Sequence, residues 1–217
     1  MRILPNHTKA LPLEIAMLPI DMLKPHEKGS PLYFELLKQE IMRDGFLRHP
    51  IIADKNTLVI LDGMHRWLAL QSLGYDLIPT ILVDVFQNTG IHVGRRRIDR
   101  FTNRPGREIT VKDVISAGIE DRLMQPRSTR HFFPFPKSQY INCQLEMLKK
   151  GPSRDVSQFI AKMTKQECSF AIKEWLSELL EEIAFLAERK EEAETELKEF
   201  RQRIEGQDDY STTNIHE

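Results

Sequence analysis

Cysteine is scarce: 217 residues contain two, Cys143 and Cys168, far apart and without a CxxC pair. That excludes a disulfide scaffold, a zinc ribbon and a thioredoxin-type motif, and it fits a reducing cytoplasm. Long apolar runs are missing too. No window approaches the roughly 18 uninterrupted apolar residues of a membrane helix, so the sequence predicts a chain that neither spans nor enters a bilayer. The opening MRILPNHTKALPLEIAMLPI is broken by Pro5, Pro12, Glu14 and Pro19 and lacks an A-x-A-like cleavage site, which argues against a signal peptide. Neither charge is in surplus: Lys+Arg number 31 against Asp+Glu 32, a formal net charge of −1. Nothing global therefore draws the chain to nucleic acid or anionic lipid, and a polyanion would have to meet a local patch. There is no internal repeat. What remains is 41% hydrophobic and 29% charged residues, the composition of a chain that packs a core. As a soft prior this length means one domain, or one and a half.

Residues 12–86 alternate short apolar strands with helices. Glu14–Leu23 reads as a strand, with Ile15, Met17 and Ile20 near a spacing of two. Lys24-Pro25-His26-Glu27-Lys28-Gly29 breaks it as a loop of four polar side chains. Leu32–Asp44 carries Leu32, Leu36, Leu37 and Ile41 at helical spacing, with Gly45 placed as a C-cap. Pro50–Asp54 and Thr57–Leu61 read as two strands around a tight turn at Lys55-Asn56, and Asp62-Gly63 stops the second. His65–Leu73 is predicted as a helix ending at Gly74, and Pro79–Phe86 as a further strand. The fold class expected is α+β: a small mixed sheet with helices, in the order strand, helix, strand, strand, helix, strand.

Residues 87–150 are less regular. Arg95, Arg96, Arg97, Arg100, Arg104 and Arg107 set six positive charges against Asp99 alone, which is the local basic patch. Farther on, Pro126-Arg127-Ser128-Thr129-Arg130-His131-Phe132-Phe133-Pro134-Phe135 mixes hydroxyls, cations and prolines with aromatics, unlike a core strand. From residue 153 the pattern changes. Ile172, Leu176, Leu179, Ile183, Leu186, Lys190, Ala193, Leu197, Phe200 and Ile204 are spaced four and three in alternation, and only Lys190 is polar. Such a seam predicts a coiled-coil helix roughly 50 Å long, flanked by solvated Glu, Lys and Arg. Its partner is either a short helix at Asp155–Met163 or a second copy of the chain, and a seam of this length favours a homodimer through residues 172–204. The expected organisation is a domain over 1–150, a helical extension over 151–206 and a frayed tail over 207–217.

The run Asp62-Gly63-Met64-His65-Arg66-Trp67 sits where a buried strand hands over to a helix. Backbone N–H groups at a helix start are unpaired and partly positive, so the junction is a ready anion site. Gly63 lets a phosphate approach, His65 and Arg66 add mobile donors, and Asp62 is placed to hold a divalent ion that bridges phosphates. The plainer alternative is that Asp62 merely N-caps the helix and Arg66 is a surface cation.

The strand, D-G-x-H-R-W, A-L and a Gly-terminated helix, followed by an apolar strand, resemble the ParB/sulfiredoxin-like superfamily over residues 12–86. The resemblance implies a nucleotide bound at this turn. Two further segments, Leu23-Lys24-Pro25-His26-Glu27 and Pro126-Arg127-Ser128-Thr129-Arg130-His131, resemble the free L-serine kinases of that superfamily, both the archaeal ADP-dependent and the siderophore-pathway types. The resemblance implies phosphorylation of free L-serine to O-phospho-L-serine, with ADP or ATP as donor and Mg²⁺ at Asp62. Glu27 matches the catalytic glutamate, with His65 as the second candidate catalytic residue. Asp62, Gly63, Met64, His65 and Arg66 match the nucleotide turn, and Ser128, Thr129, Arg130 and His131 a phosphate-contacting loop. The chemistry agrees, since a serine hydroxyl needs a carboxylate to take its proton and phosphoryl oxygens need cations around them.

Two positions depart from the pattern. Met64 replaces the second histidine of the archaeal kinases and the reactive cysteine of sulfiredoxins; a thioether cannot attack a sulfinyl phosphate, so sulfiredoxin chemistry is excluded. Arg127 stands where lysine is expected. For Glu27 the plain alternative is a solvated loop carboxylate, and for Thr129-Arg130-His131 a surface turn. A rival function is a ParB-like, nucleotide-responsive DNA-binding or partition protein that dimerises through the coiled coil and grips DNA with Arg95–Arg107. It would need a helix-turn-helix, of which residues 110–125 supply one helix and the proline-rich run would have to supply the other. A third reading is a catalytically inactive sensor or scaffold.

Overall fold

Ile51, Ile52 and Ala53 are adjacent and completely buried. Neighbouring strand residues point to opposite faces, so this stretch belongs to a sheet covered on both sides. The structure is a computed structural model, and it describes residues 13–95, 109–135, 137 and 139–173, and a discontinuous set of positions between 176 and 198. Its central sheet comprises β1 (Ile15–Pro19), β3 (Ile51–Asp54), β4 (Ile60–Asp62) and β5 (Leu77–Val83). Their order is β1-β5-β3-β4, with β3 parallel to β5 and the other pairs antiparallel. Ile51, Ala53, Ile60 and Ile78 pack on one face against Phe34, Ile41, Trp67 and Leu68. These come from α1 (Pro31–Asp44) and α2 (Met64–Leu73). On the other face Ile52, Val59, Leu61 and Ile81 meet Val114 and Ile115 of α3 (Val111–Ile119). The result is three layers around one sheet.

Short-range chemistry sets the ends of these elements. Pro31 begins α1, where its missing N–H costs nothing, and Gly45 ends it in the left-handed region at φ 73°. A reciprocal capping box between Thr110 and Asp113 starts α3. Two small ribbons complete the fold, β2 (Phe46–Leu47) with β8 (Cys143–Gln144) and β6 (His92–Arg95) with β7 (Thr129–Phe132).

The expected order over residues 12–86 is present, with β2 added. All four strands are shorter than expected. β3 begins at Ile51, and β4 begins only at Ile60 and runs through Asp62, because Thr57 is held in the turn by its N–H and hydroxyl donating to the Asp54 carboxylate. β1 ends at Pro19 and turns into a 3-10 helix, Ile20–Met22. β5 stops at Val83 because the Asp84 carboxylate accepts the N–H groups of Phe86 and Gln87 and turns the chain. The proline-rich run is corrected more deeply: its centre is β7, in which Thr129 and His131 are buried. No helix forms at Asp155–Met163, which holds only the 3-10 turn Ser157–Phe159. The chain from Lys150 to Phe159 is instead a strap across the sheet-bearing unit, since Tyr75 bridges Lys150, Gly151 N–H donates to Gly74 O, and Phe159 packs edge-on against Trp67. The chain divides after Ala171, beyond the expected boundary at 150.

Residues 165–173 and every described position between 176 and 198 are helical. Of the expected seam, Leu176 and Ile183 are exposed, while Leu179, Leu186, Ala193, Leu197, Phe200 and Ile204 lie outside the described residues. Trp175, Arg96, Arg97, Arg100, Arg104 and Arg107 lie outside them as well. Among the described residues, no helix is long and apolar enough to cross a membrane.

Candidate active site

The 24–29 segment is held by backbone bonds in three directions. Lys24 N–H donates to Leu58 O and Ile60 N–H to Lys24 O, each at 2.9 Å. Met124 N–H donates to His26 O at 2.9 Å and Lys28 N–H to Met124 O at 3.0 Å. Gly29 N–H donates to Phe159 O at 2.8 Å, and its carbonyl accepts from Ala161 at 3.0 Å. A segment so tied is no solvated loop. Glu27 is half-buried, and its Oε2 is shielded from solvent.

His26 turns into the protein and is 2% exposed. Its Nδ1 lies 2.6 Å from Ile60 O and its Nε2 3.0 Å from Thr129 Oγ1. A carbonyl only accepts, so Nδ1 carries the proton; Nε2 then accepts from the threonine hydroxyl, and the imidazole is neutral in a single tautomer. Its ring meets that of His131 edge-on at 5.3 Å. Burial lowers its pKa from the ordinary 6.5 to about 4, against the smaller raising effects of the Ile60 carbonyl and the Asp62 charge.

A consequence for stability follows from the sign of that shift. Between pH 6.5 and 4 the unfolded chain binds a proton that the folded chain refuses. The contribution is therefore complete above pH 6.5 and is lost as pH falls toward 4, by about 3 kcal/mol in all. Urea unfolding at pH 7.5 and 4.5 checks this. The loss on acidification is expected to be smaller in His26→Gln by that amount, and an equal loss in both proteins would contradict it.

Asp62 closes β4 and Gly63 begins α2 at φ 96°. The N-cap is Gly63, with no side-chain capping bond, so Asp62 does not cap the helix. Its Oδ2 pairs instead with Arg66 Nη2 at 2.5 Å. A Cβ on Gly63 would lie 2.5 Å from Ile51 and 2.9 Å from that guanidinium, so only glycine fits this turn. Met64 is 4% exposed within the core, which leaves its backbone N–H as its means of contact with a ligand. Nor is His65 a mobile donor: its Nε2 accepts Ser30 N–H at 2.8 Å, and Tyr33 packs on its ring at 4.6 Å.

Tyr33 reports which charges surround the turn. Burial pushes its phenol up; Arg66 and then, more weakly, Arg127 pull it down, and Asp62 pushes it further up. Arg127 is 5% exposed and holds φ 56°, an uncommon backbone state for a side chain of its size. His49 is lowered by burial and also feels Arg66, Arg48 and Asp62.

Alternation along β7 divides the last motif. Thr129 and His131 point inward with His26, whereas Arg130 stands on the opposite face with its guanidinium 5.2 Å from the Phe132 ring. Ser128 lies next to Thr129 with its hydroxyl buried. The structure therefore brings together the segment around Glu27, the turn at Asp62–Arg66 and the inward side of β7, and sets Arg130 apart.

Sequence reasoning missed His26 and Tyr33 and counted Arg127 only as a departure from lysine. The sole signal for His26 was an imidazole between Pro25 and the glutamate; Tyr33 had none, being an aromatic on an amphipathic helix. Among the described residues, no group of three or more His, Cys, Asp or Glu is placed to hold a metal.

No family model matches the chain. An ATP-dependent L-serine kinase of Staphylothermus marinus is 33% identical over 78 residues, 34% of this chain and 31% of that protein. A ParB-like protein of Sulfolobus acidocaldarius is 44% identical over 64 residues, 29% of this chain and 31% of the relative. The matched stretch thus spans less than a third of these curated relatives. A solved free serine kinase in complex with AMP shares the fold, with a TM-score of 0.55 and 16% identity over 63% of this chain and 94% of that one. The chain is similar to the ParB/sulfiredoxin-like superfamily and, within it, to free serine kinases, as its motifs implied.

Proposed function

We propose that this protein is a kinase of free L-serine that uses ADP or ATP. The observation that carries the reading is the convergence at His26 of three segments distant in the chain: the loop holding Glu27, the strand that ends at Asp62, and β7. Similarity to serine kinases supports it.

The residues divide the work as follows. The nucleotide phosphates sit at the start of α2, where the first N–H groups of the helix have no intrahelical acceptor and Gly63 keeps side-chain bulk away. Glu27 takes the proton of the substrate hydroxyl as its oxygen bonds to phosphorus, and the phosphoanhydride bond breaks with its electron pair on the departing nucleotide. Arg66 and Arg127 stabilise the negative charge on the phosphoryl oxygens. His65 acts by holding Ser30 and Tyr33 rather than by transferring a proton.

The donor set fits Mg²⁺ in one way. Asp62 is a single carboxylate, already paired with Arg66, whereas Mg²⁺ keeps waters and accepts one or two carboxylates plus substrate phosphates. When bound, the ion would neutralise charge between phosphate groups, with Asp62 as its protein ligand. Calorimetry is therefore expected to show no saturable Mg²⁺ binding to the protein alone and clear binding with nucleotide present. Tight binding to the free protein would contradict this assignment of ligands.

Residues 172–204 pair two chains in this reading, and the exposed Leu176 and Ile183 support it. Sedimentation is expected to give twice the 25.4 kDa chain mass, and a monomer at micromolar concentration overturns the pairing. The DNA-binding alternative is weakened where a recognition helix was required, since α3 is followed by β7.

The test is incubation of the full chain with the twenty amino acids, Mg²⁺ and ADP or ATP, scoring products by mass. Phosphoserine is the expected product. Its absence, with duplex DNA retarded in a steeply salt-dependent manner, would favour the rival.

A further inference from the structure

The ribbon β6–β7 and the central sheet are separate hydrogen-bonded units, so something must fix one against the other. His26 does so with one ring. Nδ1–H donates to Ile60 O, two residues before Asp62, and Nε2 accepts from Thr129 Oγ1, two residues after Arg127. The same residue's carbonyl accepts from Met124, so the backbone that carries Glu27 is pinned at the point where the ring makes its two bonds. Thr129 is 2% exposed, and its hydroxyl makes this contact inside the protein.

We propose that His26 is a positioning residue, whose bridge from Ile60 to Thr129 sets the distance between Glu27 and Arg127, two residues before Thr129. The inference rests on the serine-kinase reading. Its physical basis is rigidity. A neutral imidazole in one tautomer is a spacer of fixed length with a donor at one end and an acceptor at the other, and no other uncharged side chain offers both across a planar ring. Burial, which favours the neutral form, keeps the spacer in its bonded state across physiological pH. Misplacement of reacting groups by about 1 Å costs on the order of a hundredfold in rate, so losing this spacer lowers turnover even when the protein stays folded.

The test is a double-mutant cycle on kcat with Thr129→Val, which deletes the hydroxyl at nearly constant shape, and His26→Asn, whose amide keeps a donor toward Ile60 but falls short of Thr129. Assays run at a temperature where circular dichroism shows each variant folded, with Thr129→Ser as the rescue variant. Each single change is expected to lower kcat about 10- to 100-fold, the double variant to be no slower than the slower single one, and Thr129→Ser to stay within about threefold of wild type. Wild-type turnover with unchanged kcat in the folded single variants overturns the assignment alone, as do additive effects, which would mean the two residues act separately. A wild-type protein that makes no phosphoserine overturns the kinase reading and this inference with it.

Discussion

Glu27→Gln is expected to lower phosphoserine formation by about 10²- to 10⁴-fold, the range in which general bases contribute. The amide preserves size and half-buried packing but cannot accept the serine proton. Glu27 also lies on a segment whose backbone is bonded to Leu58, Met124 and Phe159, so the change alters a functional group without releasing the loop. Nucleotide affinity is expected to be unchanged, since in the proposed site the phosphates belong to the start of α2 and to Arg66 and Arg127. Equal losses in affinity and turnover would make Glu27 a binding group. Unchanged turnover would remove it from the chemistry.

The second large effect is on stability. Gly63→Ala puts a methyl group 2.5 Å from an Ile51 methyl and 2.9 Å from the Arg66 guanidinium, at a φ of 96° that side chains rarely adopt. Ile51 is completely buried in the strand at the centre of the sheet and cannot retreat cheaply. Backbone strain and overpacking each cost about 1–3 kcal/mol, so a loss of about 2–6 kcal/mol is expected, read as a lower urea midpoint at unchanged slope. Gly45→Ala is the control. Gly45 shares a positive φ, at 73°, but a Cβ there meets nothing within 4 Å, so it is expected to lose only the conformational part. Equal losses at the two sites would show that crowding at the turn contributes nothing.

Much of the first unit was legible in the sequence because its signals are local. Apolar spacing marked α1, Gly45 and Gly74 the ends of α1 and α2, and Asp62-Gly63 the turn that precedes α2. The failures have one physical origin, long-range hydrogen bonding that composition does not encode. The 24–29 segment looks like a polar loop until its carbonyls and amides find residues 58, 124 and 159. The Pro126–Phe135 run looks irregular because Arg127 and His131 are buried polar groups, tolerated only where the fold surrounds them with partners. Asp155–Met163 was one of two partners open to the seam, yet Phe159 and Ala161 bond to Gly29 and the stretch forms a 3-10 turn instead. The candidate site was therefore readable as three motifs. Which side chains face one another, with Arg130 outward and His26 inward, depends on the pleat of β7 and on a contact across 103 residues.

The central claim is that these three segments form one phosphoryl-transfer site for a free amino acid. Phosphorus NMR of the purified full chain with L-serine, Mg²⁺ and ADP or ATP follows that reaction directly. The account predicts a phosphomonoester signal growing in step with loss of the terminal phosphate of the donor, at a rate that collapses in Glu27→Gln. Nucleotide consumption that yields only inorganic phosphate, or no consumption with either donor, would contradict it.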